Sequence, residues 1–196
     1  MKNYSNIDEL KKLSVGDPRI HGNGFLQLDL SKDKRLHVWH PDLPKQKNPT
    51  PIHNHNFSFK SSVIYGELTH ITYEIVVNEG EYNLYYPVIK NGQNTILVKL
   101  ESGSFWDLKE TAKYILSDGS TYFFNHTRFH QNYSDYKAST IMEKTFKGNT
   151  TPYVACPKEY EPSNEFDRHS FDTNYLWAII DEICTELDGE DKKIKF

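Results

Sequence analysis

A chain of 196 residues, 37% hydrophobic and 26% charged, is long and apolar enough to fold around one core, which excludes a disordered polymer. Its formal net charge of −4, without a dense Lys/Arg stripe, speaks against a nucleic-acid surface. No apolar run approaches the ~20 residues of a membrane span, and the Met1-Lys2-Asn3-Tyr4 start carries no signal-peptide pattern, so a cytoplasmic protein off the membrane is expected.

Asn6 is placed to cap a short helix in which Ile7, Leu10 and Leu13 fall at helical spacing, and Gly16, Asp17 and Pro18 end it. Residues 24–30 and 35–40 alternate apolar with polar and read as two strands, joined by a turn over Ser31 to Lys34. The proline-rich stretch Pro41 to Pro51 is a loop. Residues 56–65 and 67–77 read as strands broken at Gly66, and Glu79-Gly80 marks another break before the strand at 82–89. Asn91-Gly92 is a turn signal leading into a strand at 94–100, and Ser102-Gly103-Ser104 is a further break. The segment FWDLKETAKYIL at 105–116 suits a strand or a helix, while 120–124 and 138–146 read as strands. Residues 147–172 show little periodicity and read as a loop over the core. Leu176, Ile179, Ile180, Ile183 and Leu187 then form one face of a helix capped by Asp172, Thr173 or Asn174. Cys156 and Cys184 have no metal or redox spacing and read as reduced thiols. Many short strands flanked by a helix at each end predict an all-β barrel or jelly roll.

His53 and His55 stand one residue apart at the head of an alternating run. In a strand, residues two apart share a face, so both imidazoles project with Phe57, Phe59, Ser61, Val63 and Tyr65. Two imidazoles backed by aromatic and branched side chains suit a metal at the mouth of an apolar cavity.

The stretch IHNH, then a strand, then Gly66-Glu67-Leu68, resembles the first motif of the cupins. The segment 119–130, GSTYFFNHTRFH, fits the frame of their second motif from Gly119 to His130. Phe59 stands where the family has a glutamate ligand; Asn125, Thr127 and Ser134 replace its proline, second glycine and asparagine. The likeness spans about residues 35–145 and implies His53, His55 and His130 as metal ligands, similar to the three-histidine cupins that include cysteine dioxygenase and related thiol dioxygenases. It implies a cupin-like jelly-roll barrel; length and pattern predict a single domain over 1–196, with the barrel core at about 24–146 and a covering loop and helix over 147–196. It also implies Fe(II), with Zn, Ni, Cu or Mn as alternatives, in a non-heme oxygenase acting on a small molecule. Residues 57–62 hold no cysteine to match that of cysteine dioxygenase, and Arg19, Arg35 and Arg128 are unresolved alternatives for its carboxylate-binding arginine.

Three imidazoles leave open positions on a divalent ion, which suits dioxygen chemistry on iron or an activated water on zinc. Phe57, Phe59, Tyr65, Tyr122 and Phe124 are the expected walls, with Lys60, Arg128 or Lys144 to seat an anionic group. His126 is the substitute for His130. His70 and Glu74 are expected to face solvent or to sit in a hydrogen-bond pair, and His21, His37 and His40 stand outside any motif. The alternatives in function are a non-catalytic cupin that binds a sugar or nucleotide, and a metal-dependent isomerase or hydrolase. The C-terminal apolar stripe reads as a helix packed on its own domain, and a homodimer interface is the second reading that the resemblance implies.

Overall fold

The computed structural model describes residues 3–4, 7–43, 52–90, 94–101, 106–162, 166–167, 170–189 and 194–195. The elements run β1 Asn3–Tyr4, α1 Ile7–Leu13, β2 Arg19–Ile20, β3 Leu26–Asp29, β4 Lys34–Trp39, β5 Ile52–His53 and β6 Phe57–Lys90. They continue with β7 Asn94–Lys99, β8 Trp106–Ser117, β9 Thr121–Phe124, β10 Phe129–Tyr133, β11 Ala138–Lys147, β12 Val154–Pro157, β13 Phe166–Asp167, α2 Thr173–Gly189 and β14 Ile194–Lys195. Among the described residues the strand pairings are antiparallel, and with one helix near each end the fold is of the all-β class that the sequence predicts.

The long strand β6 joins two sheets. Its first part pairs with β9 on one side and β11 on the other, and β11 continues through β4 and β3 to β2. Its later parts pair with β8, β10, β12 and β7. The expected break at Gly66 is therefore a crossing point instead of a chain reversal. Gly66 has φ of +72°, and a Cβ there would lie 2.1 Å from the Lys137 carbonyl oxygen. Only glycine lets the strand turn from one sheet into the other this close to β11.

A β-bulge adjoins that crossing. Thr140 faces Val63 and Ser139 faces Tyr65, so β6 spends two residues where β11 spends one. The extra residue shifts the alternation of faces beyond it. Phe59, Ser61 and Val63 are buried before it, Leu68, His70 and Thr72 after it.

The predicted hairpin forms between β3 and β4, where the Ser31 hydroxyl accepts from the amides of Asp33 and Lys34. The ambiguous segment is the strand β8, and residues 147–172 are more than a loop, because β12 pairs with both β5 and β6. Asn6, the turn Asn91-Gly92, Ser102 to Ser104 and residues 44–51 lie outside the described residues.

Helix α2 starts at Asp172, whose carboxylate accepts from the Asn174 amide at 2.8 Å. Its predicted apolar face is buried, and Leu176, Ile180, Ile183 and Leu187 pack with Leu10 of α1 against Leu26, Leu28, Leu36 and Val38. This cluster covers one face of the first sheet. Lys137 ties the helix down through Glu182 and Glu186. The opposite face of that sheet, carrying Arg35, His37 and Trp39, is left to line a pocket. Among the described residues no helix is long and apolar enough to cross a membrane.

Candidate metal centre

Strand register brings the histidines together. In β10, His130 lies directly opposite His53 of β5 and also opposite Thr72 of β6. His55 follows His53 by two residues. One ring nitrogen from each of the three converges on the others within 4.8 Å, and Nε2 of His55 lies 3.0 Å from Nε2 of His130. Two imidazole nitrogens held by one ion at about 2.0–2.1 Å are about 3 Å apart, so that spacing suits a shared ion.

The surroundings keep His55 and His130 neutral, as a metal ligand requires. His130 is only 2% exposed. Burial first, and the neighbouring His53 second, hold His55 and His130 well below the usual histidine range. The Asn23 side-chain nitrogen lies 3.0 Å from His53 Nδ1 and 3.4 Å from its Nε2, against the ring edge between the two nitrogens. Phe124 stacks on His130 at 4.0 Å between ring centres, and Phe59 lies 5.3 Å from His55 and 5.7 Å from His130. A buried ring thus occupies the position where the resembling family carries a carboxylate.

A second wall faces the histidines. Asp29, Arg35, Met142, Ser61 and Tyr122 form one row straight across the first sheet, and Gln27, His37, Thr140 and Val63 form the next. The free space between the walls is about 30 Å³, room for about two water-sized molecules. Arg35 is its one cationic lining residue among those described, and no carboxylate lines it. Arg35 Nε bonds Asp29 at 3.1 Å, and Arg19 bonds the other oxygen of that carboxylate at 2.6 Å. Burial would raise the Asp29 carboxyl, but these two guanidinium groups outweigh it and hold it below the usual carboxylate range.

His37 is held at about 3, chiefly by burial and then by the charge of Arg35. Its Nε2, the Trp39 indole nitrogen and His130 Nδ1 are buried without hydrogen-bond partners among the described residues. A polar chain runs beside the pocket: His70 Nδ1 lies 2.6 Å from the Asn132 side-chain oxygen, and the Asn132 amide donates to the Tyr122 hydroxyl at 2.9 Å. Burial pushes the Tyr122 phenol up to about 12.

Of the residues singled out from sequence, Phe59 and Tyr122 line the pocket, and the Phe57 ring touches that of His55 at 4.8 Å. Tyr65 lies beyond the bulge and packs against the α2 cluster, and Arg128 is exposed in the turn before β10; neither reaches the pocket. His126 lies apart, paired with Ser58 at 2.9 Å. His70 is 3% exposed instead of solvent-facing, because the bulge turns it inward, whereas Glu74 is exposed as expected. Sequence reasoning left out Asn23, held Arg35 only as one of three candidate arginines, and gave His37 no role. The signal for the last two is present in RLHVWH, where Leu36 and Val38 supply the face under the helices and Arg35, His37 and Trp39 supply the other.

No protein-family profile and no curated protein matches this chain. Among solved structures, the hydroquinone 1,2-dioxygenase from Sphingomonas sp. TTNP3 with 4-hydroxybenzoate bound aligns at 7% identity and a TM-score of 0.30. The alignment covers 60% of this chain and 62% of that one, less than two thirds of its length. That likeness is too slight to inform the chemistry, which rests on the three-histidine cluster.

Proposed function

We propose that this protein is a metal-dependent oxygenase of the cupin type that acts on a small molecule, with His53, His55 and His130 as the ligands of iron(II). The convergence of three imidazole nitrogens within 4.8 Å supports this reading. Three nitrogen ligands leave positions open on the ion, and iron bound this way supplies a place for dioxygen and substrate side by side.

The chain's own groups set the rest. Asn23 holds the His53 ring. Phe59, Phe124 and Tyr122 keep the centre dry, which strengthens every polar contact made inside it. Arg35 replaces Arg128 as the cation available to a substrate's acidic group, and its tie to Asp29 aims it. The free space of about 30 Å³ admits an ion and little else, so a substrate enters only as side chains give way.

Elemental analysis of the purified protein tests the centre. About one ion per chain is expected, lost in both His53→Ala and His130→Ala; unchanged metal content in either variant sinks it. Oxygen uptake by the iron-loaded protein with small thiols and small phenols then separates oxygenase from binder. A ligand recovered intact after prolonged incubation with iron and air identifies a binder.

A further inference from the structure

Beside the histidine pocket lies a second concavity, an open groove of about 620 Å³. Its charged lining is Lys32, Arg35, Lys144 and Lys147 against the single carboxylate of Asp33. Four cations facing one acid form a local excess of positive charge in a chain whose net charge is −4.

That excess is not neutralised from within. Asp29 is the acid behind Arg35, but it already serves Arg19 and accepts from Gln27 at 3.0 Å. Lys32 has only Asp33, at 3.8 Å and largely in solvent. Lys144 donates to the main-chain carbonyl of Lys32 at 2.8 Å, which carries no counter-charge. Among the described residues no carboxylate lies within ion-pair distance of Lys144 or Lys147. Burial and the charge of Arg35 hold Lys144 below the usual lysine range. Arg35 and Lys144 both stand over the ring of Phe57, at 5.6 and 5.1 Å, so its π face is what holds these like charges near each other.

We propose that this groove binds a small molecule carrying a phosphate group, seated by Arg35, Lys144 and Lys147. A phosphate, with a charge of about −1.5 to −2, matches the unbalanced cations better than one carboxylate does. The faces of Phe57 and of Phe146, which is 58% exposed, are available to the rest of the ligand. A nucleic-acid backbone is disfavoured, because the cations form one bounded hollow instead of a stripe. The groove also shares a wall with the metal centre: Arg35 lines both hollows, and Phe57 lies against His55.

The test is calorimetric titration of the whole, metal-free chain with inorganic pyrophosphate at low salt. Saturable one-to-one binding is expected, weakened about fivefold in Lys147→Ala and again in Lys144→Gln, as removal of one charge near 4 Å in water implies. Lys113→Ala, on the exposed side of β8, should bind like the parent, and unfolding temperatures of all three variants should stay close to the parent's. Failure to saturate in the millimolar range, or equal affinity in all variants, overturns the proposal. The two readings fail separately, since pyrophosphate binding needs no metal and metal content does not depend on Lys147.

Discussion

Lowering the pH from 7 to 5 should cost the metal-free protein about 2 kcal/mol of stability through His37 alone. The imidazole is buried in the wall opposite the metal ligands, and burial holds it at about 3 in the fold. In the unfolded chain it titrates near ~6.5. Below that value the unfolded state takes up a proton that the folded state refuses, so stability falls as pH falls. At pH 5 the separation is ~1.5 pH units, and each unit is worth ~1.4 kcal/mol. For a chain of this length that loss lowers the unfolding temperature by about 4–8 °C. His55, His130 and His70, also lowered chiefly by burial, act in the same direction in the metal-free protein and leave part of the slope when His37 is replaced. The Asp29 carboxyl, held low by its arginines, keeps its contribution throughout this window and loses it only in stronger acid. Urea unfolding at both pH values with a chelator present measures the effect, and His37→Gln should flatten the slope. A parent midpoint that does not move between the two pH values would refute the reasoning, as would a variant as pH-sensitive as the parent.

Gly66→Ala should destabilise the protein by about 3 kcal/mol or more, since a left-handed residue costs about 1–2 kcal/mol and the new methyl meets the Lys137 carbonyl. Thermal unfolding reports it, and a fall of less than 1–2 °C would show that β6 does not depend on this crossing. Asn23→Ala removes the side chain packed against the edge of the His53 ring and should weaken metal binding by about tenfold as that ring gains freedom, with little change in the unfolding temperature of the metal-free chain. Competition with a chromogenic chelator measures that, and equal affinity would mean that the amide does not orient the ring.

How far the amino-acid pattern reached follows from where each signal resides. Helix α2 was legible because its stripe is local: Leu176, Ile179, Ile180, Ile183 and Leu187 need only helical geometry to share a face. The pairing of β3 with β4 was equally local, carried by the turn at Ser31. His53 and His55 were legible as neighbours, but His130 meets them only through the register of β10 against β5, a contact between residues far apart in the chain. Its frame with Gly119 pointed to it; no alternation could.

The misplacements have one cause in common. Tyr65 and His70 were assigned faces by counting in twos along a strand, and that count is valid only while the pairing advances one residue for one. Between Val63 and Tyr65 it does not, and Gly66 then carries β6 into a second sheet. Neither the bulge nor the crossing has a compositional mark beyond a lone glycine, which equally suits a tight turn. Arg35 was not singled out from the other arginines, and His37 was given no role, for the complementary reason. Alternation along β4 shows that Leu36 and Val38 oppose Arg35 and His37, but a polar face is solvated by default. Only the second sheet, which brings His53, His55 and His130 over that face, makes it the interior wall of a pocket. The chemistry of this site therefore resides in the packing of one sheet on another, while each strand alone carries only half of it.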